Sequence, residues 1–198
     1  MLLEKDMPKS PSIQFGKWVS EAVKAGVNAP TAMCLSTVGV FSRPTSRIVL
    51  MDNFTDNGID FYSNYLSKKG GDLTHNPFAS VLFFWPELQR QVRVQGKVIK
   101  QAPAASDAYF DARPEGHKIS AWASNQSLIA ESRQEMDDRF DTNCLIHKDH
   151  DIPRPVYWGG YVLMFNYFEF WEGRENRMHD RIVYRLRSGE WEIRRLQP

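Results

Sequence analysis

Arg177-Met178-His179-Asp180-Arg181 begins six residues after Trp171 of Glu169-Phe170-Trp171, so two guanidinium groups, an imidazole and an indole stand close together in the chain. Arginine recognises anions through a planar fork that keeps its charge, and histidine exchanges protons near neutral pH. Together they suit an anionic, ring-shaped ligand. A salt-bridged surface turn would use the same residues, so the segment gains meaning only from others like it. One is Ser67-Lys68-Lys69-Gly70-Gly71-Asp72-Leu73. Small residues at a helix start leave backbone N–H groups open, and two lysines add positive charge, which suits phosphate; solvated surface is the plainer reading. Arg47 opens the strand Arg47-Ile48-Val49-Leu50, where a cation among apolar residues asks for an anionic partner, either a ligand or an acidic side chain. Gln91, within Gln89-Arg90-Gln91-Val92-Arg93, and Gln126-Ser127 offer donors and acceptors that fit the edge of a heterocycle or plain water. His147 and His150 lie three apart in a polar stretch without a third ligand, so no metal site is expected. There is no P-loop, dinucleotide glycine fingerprint or nucleophile elbow.

The elements that must position these residues are mostly strands. Phe15, Trp18, Val19, Ala22 and Val23 fall at helical spacing from Ile13, with Ser12 as N-cap and Gly26 as stop. The rhythm then changes. Segments 31–38, 46–51, 59–63, 79–85 and 91–99 are rich in β-branched and aromatic residues, separated by turn signals such as Asp56-Asn57-Gly58 and Asn76-Pro77. Short helices follow at 103–109 and 119–123, with a charged, weakly amphipathic one at 130–141. Residues 142–155 read as a loop. Strands return at 161–165, 167–171, 181–186 and 190–195, the last two joined through Ser188-Gly189 as a tight hairpin. No βαβ alternation appears. The expectation is a mainly β, α+β chain: a small antiparallel, Greek-key-like barrel decorated by helices, forming one domain over residues 1–198 with residues 1–11 as a frayed lead.

Composition narrows the function. The 198 residues are 42% hydrophobic and 25% charged with a net charge of +1, so any anion site must be local and no global field favours nucleic acid. Cys34 and Cys144 are too few for a disulfide framework and read as reduced thiols. No apolar run approaches the ~20 residues of a membrane helix, and no signal peptide is evident. A cytoplasmic protein is expected.

Taken together, the segments Arg47-Ile48-Val49-Leu50, Phe61-Tyr62-Ser63-Asn64, Ser67-Lys68-Lys69-Gly70, Arg90-Gln91-Val92-Arg93, Tyr109-Phe110 and Arg113-Pro114 resemble the pyridoxamine 5'-phosphate oxidase family. So do Ala121-Trp122, Gln126-Ser127, Trp158-Gly159-Gly160-Tyr161, Glu169-Phe170-Trp171, Arg177-Met178-His179-Asp180-Arg181 and the closing Arg195-Leu196-Gln197-Pro198. The likeness runs from the Phe15 helix to the end. It implies a split β-barrel homodimer with FMN at the subunit interface and dioxygen as electron acceptor. By this resemblance Arg47, Lys68, Lys69 and Ser63 bind the FMN phosphate, and Ile48, Val49, Leu50 and Tyr62 line the flavin. Gln91 touches the isoalloxazine, and Gln126, Ser127, Trp171 and Arg181 surround the cofactor, some from the second chain. Arg177 and His179 match the catalytic pair over the substrate ring, and Tyr109 and Arg113 match part of the substrate-phosphate site.

The departures fall on the substrate side. Asp52 stands where the family has a phosphate-gripping lysine, His117 where it has a serine, and Ala29 where an aspartate is usual. The family's N-terminal covering segment is missing ahead of Phe15. A carboxylate in place of a cation at ~4 Å turns attraction into about 4 kcal/mol of repulsion at an effective dielectric near 20. The phenazine-pathway flavin oxidases, a related branch acting on non-phosphorylated reduced heterocycles, also lack that lysine and share a similar Leu196-Gln197-Pro198 ending. Trp122, Trp158-Gly159-Gly160-Tyr161 and Pro86-Glu87-Leu88 look like the B6 enzymes proper. The favoured expectation is an FMN-dependent oxidase of a B6 vitamer or close analogue. The alternatives are a phenazine-type oxidase and a non-catalytic flavin- or haem-binding barrel. An RNA-binding barrel on the basic strand from Arg90 to Lys97 lacks both net charge and clustered stacking aromatics.

Overall fold

A computed structural model describes all 198 residues. Its nine strands are β1 (Ala32–Val38), β2 (Pro44–Leu50), β3 (Phe54–Thr55), β4 (Gly58–Asn64), β5 (Phe78–Trp85), β6 (Arg90–Lys100), β7 (Trp158–Glu172), β8 (Asp180–Arg187) and β9 (Glu190–Arg195). They form one antiparallel sheet in the order β2-β1-β5-β6-β7-β4-β3, with β8 and β9 attached beside β7. Strand β2 comes back against β4 without a ladder between them. The barrel is therefore split along that seam.

Strand β7 organises the whole. The sequence reads as two strands here, 161–165 and 167–171, but the chain forms one strand of 15 residues. It pairs with the whole of β6 through Tyr161–Glu172, and a register shift at Gln95/Gly96 lets Asn166 bulge out. Its other edge is divided: Trp158–Leu163 pairs with β4, and Tyr167–Glu172 pairs with β8. A bulge raises local twist and bends the strand, which lets one strand serve two partners. A Cβ on Gly96 would sit 2.0 Å from the Met164 carbonyl oxygen, so only glycine permits this close approach.

The core is aromatic and lies inside the barrel. Helix α1 (Pro11–Lys24) closes one side with Phe15 and Trp18, both fully buried. Phe15 meets Phe83 at 5.1 Å between centroids, and Trp18 meets Phe170 edge-on at 5.3 Å. Burial of each such side chain contributes about 1.5–3 kcal/mol. A smaller core of Phe110, Ile119, Ile152 and Trp158 sits under α3 (Pro103–Asp111) and α4 (Glu115–Ala123). Helix α2 (Lys68–His75) lies over β1, while α5 (Arg133–Ile146) packs on α4 and buries no residue of its own. No helix is long and apolar enough to cross a membrane.

Three local expectations are corrected. The N-cap of α1 is Ser10, with Pro11 in the first turn; Ser12 lies inside the helix and donates to Asp56. Helix α5 runs to Ile146, into the segment read as a loop, because no glycine or proline stops it before His147. The cap box Ser132-Arg133-Gln134-Glu135 starts it: Ser132 Oγ accepts from the Glu135 N–H at 3.0 Å. The lead is not frayed. Leu2 N–H donates to Asp180 at 3.2 Å, Arg195 grips the Leu2 carbonyl and Glu4, and Tyr184 donates to the Pro8 carbonyl at 2.8 Å. Asp180 is nearly buried, and although burial opposes its ionisation, bonds from Arg174 and Arg195 outweigh that and hold its carboxyl below the usual range. The two ends of the chain are thereby tied together.

Gly96→Ala should lower unfolding free energy by at least ~2 kcal/mol, since backbone and not a side chain blocks the new methyl. Urea denaturation would read this as a reduced midpoint; an unchanged midpoint would mean the bulge can relax elsewhere.

Candidate functional site

The residues singled out in the sequence assemble into three groups. In the first, Arg47 on β2 points across β1. Its Nη1 donates to the Leu35 carbonyl at 3.1 Å and to Thr37 Oγ1 at 2.8 Å, and its Nη2 donates to Thr45 Oγ1 at 2.6 Å. The N-cap Ser67 accepts from the Gly70 N–H and so starts α2 one residue before the two lysines. Helical geometry sends those lysines different ways. Lys68 is exposed and paired with Asp72, whereas Lys69 is buried. Lys69 Nζ donates to Ser67 Oγ at 3.1 Å and to Gln126 Oε1 at 2.7 Å, and Ser63 on β4 donates to the same Gln126 oxygen at 3.3 Å.

Charge is unbalanced here. The buried Asp72 accepts from Lys68, Thr37 and Thr45 and lies 3.9 Å from Arg47, while the Lys69 ammonium meets only neutral oxygens. Three cations share one carboxylate, leaving two positive charges in excess. The Lys69 pKa shows the effect: burial, with the nearby Arg47 charge adding to it, lowers it from 10.5 to about 8. That shift corresponds to about 3 kcal/mol at ~1.4 kcal/mol per unit. A buried cation held at such cost suits a phosphate dianion, which would restore the balance.

The second group lies on the outer face at the far end of β7. Gln91 pairs with Trp171 across β6–β7, and Trp171 pairs with Arg181 across β7–β8, so the three form one row over three strands. His179 tilts against Trp171 at 4.7 Å between ring centroids. Its Nδ1 accepts from the Arg174 N–H at 3.1 Å, which assigns the ring proton of the neutral form to Nε2. Arg177 is exposed on a turn where Asn176 and Arg177 have φ of 54° and 60°. Such left-handed backbone costs ~1–2 kcal/mol per residue, and contacts of Arg174 with Asp180 and Glu172 hold the turn. Beneath the row, the buried Glu169 receives Arg181 at 2.7 and 2.8 Å on one oxygen and Arg93 on the other, and Arg181 also reaches the Gln197 carbonyl at 2.9 Å.

The third group borders the first. Tyr62 and Tyr109 stack at 3.5 Å and 9°, Trp158 follows at 5.6 Å, and the Arg113 guanidinium lies 4.4 Å over the Trp158 ring. Burial and the carboxylates of Asp52 and Asp60 push the Tyr62 phenol up to about 12. Asp52 lies two residues past the end of β2 and donates its N–H to the Asp60 carbonyl at 2.9 Å. His117 is exposed in the first turn of α4, and Ser127, at φ 75°, is exposed beside Gln126. Ile48 and Leu50 point outward on β2, which ends the sheet path and leaves one backbone edge unpaired; Val49 packs toward the core.

Sequence reasoning missed the residues that hold the others. Thr37, Thr45 and Asp72 orient Arg47 and Lys68, Glu169 holds Arg181, and Asp60 backs Asp52. Glu169 carried a usable signal: a carboxylate between Phe168 and Phe170 on a strand with arginines on both neighbouring strands.

A family model described as "Pyridoxamine 5'-phosphate oxidase" matches residues 19–142, and one described as "Pyridoxine 5'-phosphate oxidase C-terminal dimerisation region" matches residues 158–198. Among curated proteins, the chain is 44% identical to the pyridoxine/pyridoxamine 5'-phosphate oxidase of Acaryochloris marina, covering 100% of this chain and 90% of that one. It is 47% identical to the enzyme of that name from Mannheimia succiniciproducens, covering 100% and 93%. Among solved structures, PhzG from Burkholderia lata 383 in complex with tetrahydrophenazine-1-carboxylic acid superposes with a TM-score of 0.93 at 27% identity, covering 100% of this chain and 98% of that one. An FMN-binding protein from Nostoc punctiforme, 17% identical with a TM-score of 0.74 and coverage of 98% and 99%, shares the fold.

Lys69 makes a pH prediction. Its folded pKa, about 8, lies below the free value of 10.5, so the unfolded chain binds more protons between those limits and stability should rise with pH across that window. A bound phosphate restores the ammonium, so binding above pH 8 takes up a proton. Affinity of the ligand-free protein for orthophosphate should therefore fall as pH rises through 8, up to ~10-fold per unit. Calorimetry in buffers of different ionisation heat would count that proton. Lys69→Met should bind more weakly with the pH slope gone; a slope that survives would move the titration to another group.

Proposed function

Because the chain belongs to the pyridoxamine 5'-phosphate oxidase family, and is by that membership an FMN-dependent oxidoreductase, we propose that it oxidises a B6 vitamer or close analogue. Dioxygen is the acceptor, and the products are the aldehyde and hydrogen peroxide. For an amine, one substrate molecule, one dioxygen and one water give aldehyde, ammonia and peroxide. The observation that carries the reading is the buried Lys69 ammonium with the Arg47 charge near it, a positive cluster in excess by two charges. The charge and donor set match a phosphomonoester such as the FMN phosphate, with Ser63 as a hydroxyl donor and Lys68 holding Asp72 aside. The flavin, when bound, supplies a two-electron acceptor that dioxygen can reoxidise.

The protein's own residues bind and orient. Gln91, Trp171 and Arg181 offer an amide, an indole face and a guanidinium along one row, suited to the edge and pyrimidine end of a flavin. Tyr62 and the outer edge of β2 at Ile48, Val49 and Leu50 would frame the ring system, and Gln126 and Ser127 would close over the phosphate end. Arg177 would cover the substrate ring, with His179 presenting its Nε2 proton to the oxygen or nitrogen on the carbon being oxidised. Tyr109 and Arg113 would hold the substrate's far end. Holding the two rings in contact geometry is the larger part of the catalytic task. A flavin-binding barrel without activity would have no use for Arg177 and His179 so placed. A phenazine-type oxidation of a reduced heterocycle is the second reading, favoured by the likeness to PhzG, whose complex holds a tricyclic carboxylic acid. The free thiols Cys34 and Cys144 suit the reducing cytoplasm, where we place the enzyme.

One chain does not complete the site. Ser63 pairs with Gly159 and Gln91 with Trp171, and those β7 positions are twelve residues apart, roughly 40 Å along the strand at ~3.3 Å per residue. We therefore assign the phosphate end to one protomer and the Gln91–Trp171–Arg181 row to its partner. The outward face of β2, β1 and β5 supports this homodimer. Ile48, Cys34 and Leu82 stand in register there, with Leu50 and Phe84 beside them, and Ile48 and Leu50 are 66% and 62% exposed in the single chain.

Mixed anaerobically with pyridoxamine 5'-phosphate or pyridoxamine, the yellow protein should bleach and recover in air with release of peroxide. Persistent yellow in a protein that dithionite bleaches would reject a B6 substrate. Ile48→Glu should yield monomer and lose flavin together, as read by light scattering and absorbance. A monomer that keeps its flavin would rule out the shared site.

A further inference from the structure

The third group of residues is polarised along its length. At one end Asp52 and Asp60 are joined through a 2.9 Å backbone hydrogen bond, and Asp60 and Tyr62 are alternate residues of β4, so both face the same side of the strand. At the other end is Arg113, laid over Trp158. The stacked Tyr62 and Tyr109 lie between them and form an apolar floor. The Asp52 carboxylate acts on both phenols, raising each in company with burial. The Arg113 Nη1 is buried without a hydrogen-bond partner. Arg154, the next guanidinium on this side, is engaged by Asp107 and the Trp158 carbonyl. Two carboxylates thus face one available arginine, the reverse of the balance around Lys69.

Taking these residues as the substrate side, as the proposed function does, we propose that Asp52, backed by Asp60, selects a substrate carrying a cationic or neutral polar group. A phosphomonoester dianion is rejected there, and the one negative charge accepted is a carboxylate at Arg113. The preferred class is a ring compound with an amine and at most one carboxylate. A dianion would lie against the exposed Asp52 and the half-buried Asp60 with Arg113 as the arginine to offset them, and like charges at close range repel. A carboxylate needs only the fork of Arg113, which gains the partner its Nη1 lacks. An ammonium gains Asp52.

The test uses the flavin-loaded full chain and matched probes that differ only in the phosphate. Anaerobic flavin bleaching by pyridoxamine and by pyridoxamine 5'-phosphate gives the ratio of reduction rate over Kd. Perturbation of the flavin spectrum by pyridoxal and by pyridoxal 5'-phosphate gives a binding ratio that needs no turnover. The wild type should favour the unphosphorylated partner at least tenfold. Asp52→Lys should move the ratio toward the phosphate by a hundredfold or more, with Asp52→Asn between them. Preference of the wild type for the phosphate ester, or an Asp52→Lys ratio within threefold of wild type, overturns the inference. If neither amine bleaches a flavin that dithionite reduces, the B6 reading fails by itself, and the binding ratio still decides the charge preference on the same thresholds.

Discussion

A single strand that must satisfy two different neighbours on one edge sets the terms for the rest of the molecule. Strand β7 keeps β6 from Tyr161 to Glu172 while giving its first half to β4 and its second to β8 on the other edge. Flat pairing would force β4 and β8 to compete for one edge. The bulge at Asn166, tolerated because Gly96 lets the strands close to contact distance, bends β7 between the two halves. The seam between β2 and β4 opens where the first half ends the barrel, and the outer row on β6, β7 and β8 is displayed on the second half. The bulge therefore governs the shape of the barrel and the separation of its two functional faces.

Electrostatics divides the same way. Around Glu169 the charges are nearly settled, with a buried carboxylate shared by two arginines whose positions are consequently fixed. Around Lys69 they are not settled: burial, with the Arg47 charge adding to it, lowers the ammonium pKa, and no carboxylate offsets that. Burying a cation without its counter-ion is unfavourable for folding alone. It becomes favourable when an anion completes the cluster, because binding then recovers what folding gave up. A rigid, neutralised face opposite an unneutralised cavity is the arrangement expected if a flavin joins two protomers by its two ends.

Family membership and the local departures bear on different parts of the chain. Arg47, Lys69, Gln91, Trp171, Arg177 and His179, to which the proposed function gives the cofactor and the catalytic pair, sit in the Lys69 cluster or on the outer row with its adjoining turn. Asp52 sits in neither. It lies beside Asp60 at the acidic end of the tyrosine stack, opposite Arg113. Under the proposed function, Asp52 therefore lies apart from Lys69 and from the Gln91–Trp171–Arg181 row, so a change at that one position leaves the residues proposed to hold the two ends of the flavin untouched.

Residue types and spacing alone determined a good deal. Alternation of Val92, Val94 and Val98, the turn residues Asn57-Gly58 and Ser188-Gly189, and the helical spacing of Phe15 and Trp18 are local signals, and each element appeared near where they placed it. The motif residues were legible for the same reason: arginine, histidine and paired lysines carry their chemistry in the side chain itself. Their circumstances were not legible. Lys68 and Lys69 are neighbours in sequence, yet only the fold sends one to solvent and buries the other against Ser67 and Gln126. The continuity of β7 through Asn166, the pinning of Leu2 and Glu4 by Asp180 and Arg195, and the grip of Glu169 on Arg181 all depend on partners far along the chain. Burial, register and charge balance are sums over distant neighbours, and only tertiary structure decides who those neighbours are.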